Sequence, residues 1–407
     1  MSKSEECIQQ FGAPVLAVCG FSGSGKTTLL EAAIPHLIAR GLAVAAIKHD
    51  SHGFVVDKEG KDSDRLFRAG ATVALRGPGE QFLRRGFSSV LTLEATLSDL
   101  ARDHDLLLVE GHKDTPLPKL WVGNAETSVP PEHVTDVQAL LPWNGDRLTA
   151  LLRFIDEWLP KAWASRPLFA GLLVGGQSSR MGSPKQLVGF GGSTLGEIAA
   201  HALSAAVGEA EAHGDGDSLS PKTAILGAGP IPDTLQCLPR VPDAPGLAGP
   251  IAGLLAAHRW APRAAWVLAA CDHPWLSGAD IQWLIRQRRP GTWAILPRQA
   301  DDYPCPTLAL YEPQALTVLE RSLLVRGADK VRIAELFNHP RTLIAPTFTR
   351  GLVNVNTPQE LMAQEELFEA ANEPSMWNKH RPSRELGGKP NSEISNQAAN
   401  DTLRCSE

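Results

Sequence analysis

Two stretches carry residues whose types and spacing suit work on phosphate. The first runs from Gly20 to Thr27, fits G-x-x-x-x-G-K-[ST] without a gap, follows an apolar run and opens a helix-like segment. In that setting glycines turn backbone N–H groups inward around phosphate oxygens, and the helix start adds partial positive charge. Lys26 is placed to reach the terminal phosphates and Thr27 to ligate magnesium, with Glu110, which ends the run DLLLVEG, as acidic partner of the ion. A Gly-rich turn that binds nothing, and a solvated strand-end glutamate, are the bland alternatives. His49, Asp50, His52 and His112 invite a metal reading. Loop histidines more often face solvent or touch substrate, and no metal is assigned to them.

The second stretch, LLVGGQSSRMGSPKQL, follows another apolar run but is not closed by G-K-[ST]. Gly175, Gly176 and Gly182 let the backbone pass close to a nucleotide, while Arg180 and Lys185 supply cations for a triphosphate. That suits attack at the α-phosphate, where charge on the leaving pyrophosphate must be neutralised. Asp272 ends the apolar run AAWVLAACD, a placement suited to a carboxylate holding magnesium at the carboxyl edge of an open sheet. Asp243 sits in the turn VPDAPGLAGP, and Asn354 and Asn356 precede a helix start capped by Thr357 with Pro358 next. Each aspartate alone is more often a cap or turn residue; their convergence on one loop favours a site.

The elements that must position these groups alternate. Strand-like runs at 14–20, 42–50, 71–77 and 105–112 are separated by helix-length stretches such as 27–41, and a helix over 149–163 closes the first half. After the link ASRP the pattern restarts at 168–176 and continues at 223–229, 264–272, 292–297 and 307–311. Continuous Val, Ala, Leu and Ile runs point to parallel sheets covered on both faces, hence an α/β chain. We expect domains at residues 1–163 and 164–372, an exposed polar loop at 211–222 and a disordered polar tail at 373–407.

Composition bounds the rest. The chain has 407 residues, more than one ordinary core, with 43% hydrophobic and 21% charged residues. A net charge of −6 exerts no global pull on nucleic acid or an anionic membrane. The six cysteines, Cys7, Cys19, Cys237, Cys271, Cys305 and Cys405, have no metal-knuckle spacing and fit a reducing compartment. The polar N-terminus lacks a signal-like core, so a cytoplasmic protein is expected.

Beyond single sites, GFSGSGKTTLL, AAIKHD-SHGF-VVDKEGKDSDRLFRAGA and DLLLVEGHKDTPLPKL resemble, in order, the MobB family of molybdopterin-guanine dinucleotide biosynthesis proteins from residue 14 to about 160. That resemblance implies a P-loop NTPase-like domain binding GTP through Gly23, Gly25, Lys26, Thr27 and Thr28, with weak GTPase activity at most and a role assisting a partner transferase. It sets Asp62, Ser63 and Arg65 in the family's signature stretch, where a nucleotide or partner surface and a solvated helix face both remain open. LLVGGQSSRMGSPKQL, DAPGLAGPIAGLL, CDHPWL, PCPTLALY and VNVNTPQEL resemble the MobA family of molybdenum cofactor guanylyltransferases from about residue 168 to 365. This second resemblance implies a Rossmann-like nucleotidyltransferase with Leu173, Val174 and Gly175 along the guanine nucleotide and Lys185 on its phosphates. Asp243 would then bind nucleotide, Asp272 nucleotide and magnesium, and Asn356 would lie toward the pterin.

The implied reaction joins Mg-GTP and Mo-molybdopterin into the guanine dinucleotide cofactor and pyrophosphate. Molybdoenzyme apoproteins and upstream molybdenum-insertion proteins are the protein partners it suggests. Two departures bear on base choice. Pro184 stands where the family carries Asp, making S-P-K-Q-L closer to the sister family that transfers CMP, and Leu226-Gly227 replaces a nucleotide-contacting Asn. Cytidylyl transfer, sugar-phosphate nucleotidyl transfer and a non-enzymatic GTP-switched scaffold are the rival readings.

Overall fold

A computed structural model describes residues 2–49, 55–86, 92–175, 181–208, 222–299, 302–328, 330–346 and 350–372. The expected loop at 211–221 and tail at 373–407 lie outside the described residues, as do Asp50, His52, Gly176 and Arg180.

The N-terminal half runs α1 (Lys3–Phe11), β1 (Val15–Gly20), α2 (Lys26–Ala39), β2 (Val44–Lys48), α3 (Asp62–Arg68), β3 (Val73–Arg76), β4 (Gln81–Arg84), α4 (Leu93–Leu100), β5 (Leu106–Glu110), β6 (Lys119–Val122), β7 (Val137–Leu141) and α5 (Arg147–Ala164). Its sheet has the order β2-β5-β1-β6-β7 and every pairing is parallel. The apolar strands β1 and β5 sit at its centre, with buried side chains filling both faces. The run at 71–77 is not part of it: β3 pairs antiparallel with β4 in a separate hairpin. The reason is burial, since only Val73 of β3 is covered, and a parallel central strand needs both faces buried. α5 is capped by Asp146, which accepts from Thr149 N at 3.0 Å, and it buries Leu151, Ile155, Trp158, Leu159 and Trp163.

The C-terminal half runs β8 (Leu168–Leu173), β9 (Gly189–Phe190), β10 (Ser193–Thr194), α6 (Leu195–Gly208), β11 (Thr223–Leu226), β12 (Arg240–Val241), α7 (Pro250–Trp260), β13 (Ala265–Ala270), α8 (Gly278–Arg286), β14 (Ala294–Pro297), β15 (Leu308–Tyr311), α9 (Pro313–Arg326), β16 (Thr342–Ala345) and α10 (Pro358–Asn372). The main sheet has the order β12-β11-β8-β13-β15-β14-β16. It is parallel except for β15, which runs antiparallel to both neighbours. Two apolar layers cover it, one built around α6 and α8 and the other around α7 and α9. As its sequence implies, α10 starts with Thr357 Oγ1 accepting from Glu360 N at 3.2 Å.

The halves meet through a polar seam. Arg166, just before β8, is buried and donates to Glu312 Oε2 (2.6 Å), Gln314 Oε1 (3.0 Å) and Gly12 O (2.6 Å), its guanidinium 4.1 Å from the Trp163 ring centre. Burial would push the Glu312 carboxyl up, but Arg288 and Arg166 hold it below its ordinary value. Asp105, just before β5, accepts from Trp293 Nε1 (2.7 Å), Ala43 N (2.7 Å) and Arg341 Nη1 (3.1 Å). Arg321 adds a bidentate pair to Asp103 at 2.5 and 2.7 Å. Gly12, Ala43 and Asp105 precede β1, β2 and β5, while Arg166, Trp293 and Arg341 precede β8, β14 and β16; Glu312 follows the reversed β15. Each sheet therefore offers the seam the end from which its parallel strands start, and the carboxyl ends point away from it.

Candidate functional site

At the carboxyl end of the N-terminal sheet, the chain leaves β1 at Gly20, where an added Cβ would run into Val122 O. Gly23 and Gly25 have φ of 71° and 82°, the left-handed region that glycine tolerates. No side chain caps α2, so the amide groups of its first turn, at Lys26, Thr27 and Thr28, face the loop as an anion site requires. Lys26 Nζ folds back to donate to Phe21 O (2.8 Å) and Gly20 O (3.2 Å), and burial lowers its pKa. Arg147 braces the loop from α5 through Ser24 O at 2.8 Å and through Gly123 O. Thr27 Oγ1 donates to Glu110 Oε1 at 2.7 Å, which joins the two residues read as magnesium holders.

In the signature stretch, Asp62 and Arg65 are exposed and pair with each other at 3.9 Å, while Ser63 Oγ donates to Asp57 at 2.9 Å. The structurally committed residue is one that sequence reasoning missed. Asp64 accepts from Gly60 N (2.9 Å), Arg68 Nε (2.8 Å) and Arg84 Nη1 (3.0 Å). The Gly60 hydrogen bond, followed by that from Arg68, holds its carboxyl down at about 2. His49 and His112 come together with ring centres 4.7 Å apart; burial and then His49 lower the His112 pKa.

The C-terminal sheet carries the second site at its own carboxyl end. A cavity of about 300 Å³ is lined by Leu173, Val174, Gly175, Lys185, Asp243 and Asp272, together with Gln186, Leu226 and the start of α7. Because β8 pairs in parallel with both β11 and β13, the loop after Leu173, the turn after Leu226 and Asp272 open on one edge. Gly227 allows the close approach of these turns, since an added Cβ there would strike Val174 O. α7 begins at the cavity with Gly249 and Pro250 and has no side-chain cap, another end suited to an anion.

Lys185 Nζ stands 3.7 Å from Asp272 Oδ2 and donates to Asn356 Oδ1 (2.9 Å) and Val355 O (3.0 Å). Val355 N in turn donates to Asp272 O at 2.8 Å, tying the C-terminal segment to the strand-end aspartate. Among the described residues, Asp272 Oδ1 is buried and has no hydrogen-bond donor; it lies 3.4 Å from His273 Nε2, and burial lowers the pKa of that ring. A buried carboxylate oxygen without a donor is chemically suited to a hard cation. Asn354 is exposed and is not brought into the site. Gln186, Cys271 and His273 lie within the quoted motifs but were given no role from sequence; Gln186 Nε2 donates to Pro230 O at 2.8 Å and Cys271 Sγ to Leu173 O at 3.4 Å. Among the described residues, no three His, Cys, Asp or Glu cluster as a metal-binding group, and no helix is long and apolar enough to cross a membrane.

Comparison with known proteins matches two separate stretches of the chain. Residues 15–142 match the model of molybdopterin guanine dinucleotide synthesis protein B, and residues 170–339 match the MobA-like NTP transferase domain. The molybdopterin-guanine dinucleotide biosynthesis adapter protein of Haemophilus influenzae is 38% identical over 162 residues, spanning 36% of this chain and 89% of that protein. The molybdenum cofactor biosynthesis bifunctional protein of Synechocystis is 26% identical, over 51% of this chain and 57% of its own length. The crystal structure of molybdopterin-guanine dinucleotide biosynthesis protein A from Archaeoglobus fulgidus is 25% identical, covers 49% of this chain and 98% of its own, and has a TM-score of 0.37. The chain is a nucleotidyltransferase of molybdenum cofactor biosynthesis: its N-terminal half belongs to the molybdopterin-guanine dinucleotide biosynthesis adapter family, and its C-terminal half is a MobA-like NTP transferase domain.

Proposed function

We propose that the C-terminal half transfers GMP from GTP to the terminal phosphate of Mo-molybdopterin and releases pyrophosphate, while the N-terminal half holds a second GTP. The division between them falls at residues 163 and 164. The observation that carries this reading is the Lys185–Asp272 pair, 3.7 Å apart in a glycine-walled cavity. A pterin phosphate oxygen attacks the α-phosphorus, and the bond from that phosphorus to the oxygen bridging to the β-phosphate breaks. The attacking phosphate is already ionised near neutral pH, so no strong general base is required. Lys185 offsets charge growing on the leaving pyrophosphate, while the backbone of Leu173, Val174 and Gly175 and the side chain of Asp243 hold the nucleoside end. Arg180, in the same loop, adds a second cation to the triphosphate. Asp272 would hold magnesium through Oδ1, and the ion would supply further charge neutralisation. In the N-terminal half, Thr27 and Glu110 hold magnesium, and Gly23, Gly25, Lys26 and Thr28 hold GTP phosphates.

A second reading, CMP transfer, is favoured by the Ser183-Pro184-Lys185 loop and by Leu226 in the cavity wall. Incubation with Mo-molybdopterin, magnesium and each NTP, followed by mass analysis of the pterin, tests both. A guanine dinucleotide is expected; a cytosine dinucleotide overturns the base assignment, and an unchanged pterin overturns transfer.

A further inference from the structure

We propose that His49 and His112 form a site for one first-row divalent cation of the zinc class, beside the phosphate loop of the N-terminal half. His49 follows β2 and its N–H approaches Glu110 O at 3.4 Å; His112 lies two residues beyond Glu110, at the end of the neighbouring strand β5. Their ring centres stand 4.7 Å apart, with the planes tilted by 53°. Two imidazoles on one such ion have metal–nitrogen distances of about 2.0–2.1 Å and an angle of roughly 90–110° between them. With each ring centre roughly 1.1 Å behind its nitrogen, the centres then stand about 4.5–5.2 Å apart. The observed separation falls inside that window.

Two further features suit ligation. His112 Nδ1 lies 3.3 Å from Thr115 Oγ1, which orients the ring and leaves Nε2 as the ligating nitrogen. The residue holds φ of 57°, a left-handed conformation that non-glycine residues adopt rarely and that marks functional positions. Among the described residues no third His, Cys, Asp or Glu joins the pair, and water or a phosphate oxygen can complete a tetrahedral ion. That last possibility rests on the reading of Gly20–Thr27 as a nucleotide site, whereas ion binding itself does not.

Equilibrium dialysis of the full chain against micromolar Co²⁺, with excess Mg²⁺ to fill oxygen sites and no nucleotide present, tests the assignment. One Co²⁺ per chain is expected to be lost in His49→Ala and in His112→Asn, with asparagine chosen because it tolerates the left-handed backbone. Lys26→Ala, which disables nucleotide binding, should keep the ion. An equal Co²⁺ count in wild type and either histidine variant overturns the proposal, as does loss of the ion in Lys26→Ala, which would move it into the phosphate loop. Should His112→Asn not fold, exposed His49→Ala decides alone.

Discussion

Arg166→Met tests whether the polar seam holds the halves as one structure. The Arg166 side chain is 0% exposed and its partner Glu312 1%. Removing one member of a buried pair costs about 3–5 kcal/mol, because the remaining charge stays buried. Here Arg288 still reaches Glu312 at 2.8 Å, which keeps part of the neutralisation and places the loss at the lower end, about 3 kcal/mol. Gly12 O and Gln314 Oε1 also lose the donors that Arg166 supplied. For a single cooperative unit of 407 residues each kcal/mol moves the thermal midpoint by about 1.2 °C, so a fall of about 3–4 °C is expected. Differential scanning calorimetry without ligand measures it, and a single wild-type transition should separate toward two as the seam loosens. A midpoint within about 1 °C of wild type would mean that the seam contributes little.

Three other perturbations follow from the same structure. Lys185→Ala and Asp272→Asn should each lower kcat for pyrophosphate release by about 10²–10³ with unchanged circular dichroism, the usual loss for one charge-stabilising group; near-normal turnover in either variant removes the pair from the chemistry. Lys26→Ala should eliminate one of two GTP equivalents in titration calorimetry yet leave transfer within a few-fold of wild type, since the phosphate loop and the transfer cavity lie at opposite ends of the molecule. Complete loss of transfer would contradict that separation. Burial pushes the His258 imidazole down to about 4, despite Glu320 at 3.8 Å. The unfolded chain takes up this proton near pH 6.5 and the folded chain only near 4, so stability is full above that window and falls as pH drops through it. The loss amounts to at most about 3 kcal/mol. Denaturant midpoints across pH 4–7 should flatten in His258→Gln relative to wild type, and parallel curves would argue against it.

What the sequence reveals depends on how local each interaction is. The phosphate loop is contiguous, so its strand, glycines, lysine and threonine read directly from the chain. Asp272 is legible for a different reason: a carboxylate ending an apolar strand must sit at the sheet edge, and parallel pairing of β8 with β13 then brings it to the loop bearing Lys185. The hydrogen bond from Lys185 to Asn356 spans 171 residues and has no sequence signature. Neither does the seam, whose Arg166 and Glu312 are 146 residues apart. Strand β6 is missed because it begins with a lysine. That Lys119 is buried, its ammonium donating to Thr115 O (2.6 Å) and Leu117 O (3.0 Å), a solution periodicity does not anticipate. The reversal of β15 is equally invisible, since LALY is buried on both faces whichever way it runs.

In the proposed transfer a nucleoside triphosphate lies along Leu173–Gly175 with its α-phosphate between Lys185 and Asp272. A crystal of the chain soaked with GTP and magnesium measures this directly. Guanine nucleotide density is expected in that cavity, with an ion on Asp272 Oδ1. A cavity without nucleotide while the phosphate loop at Lys26 is filled would contradict it.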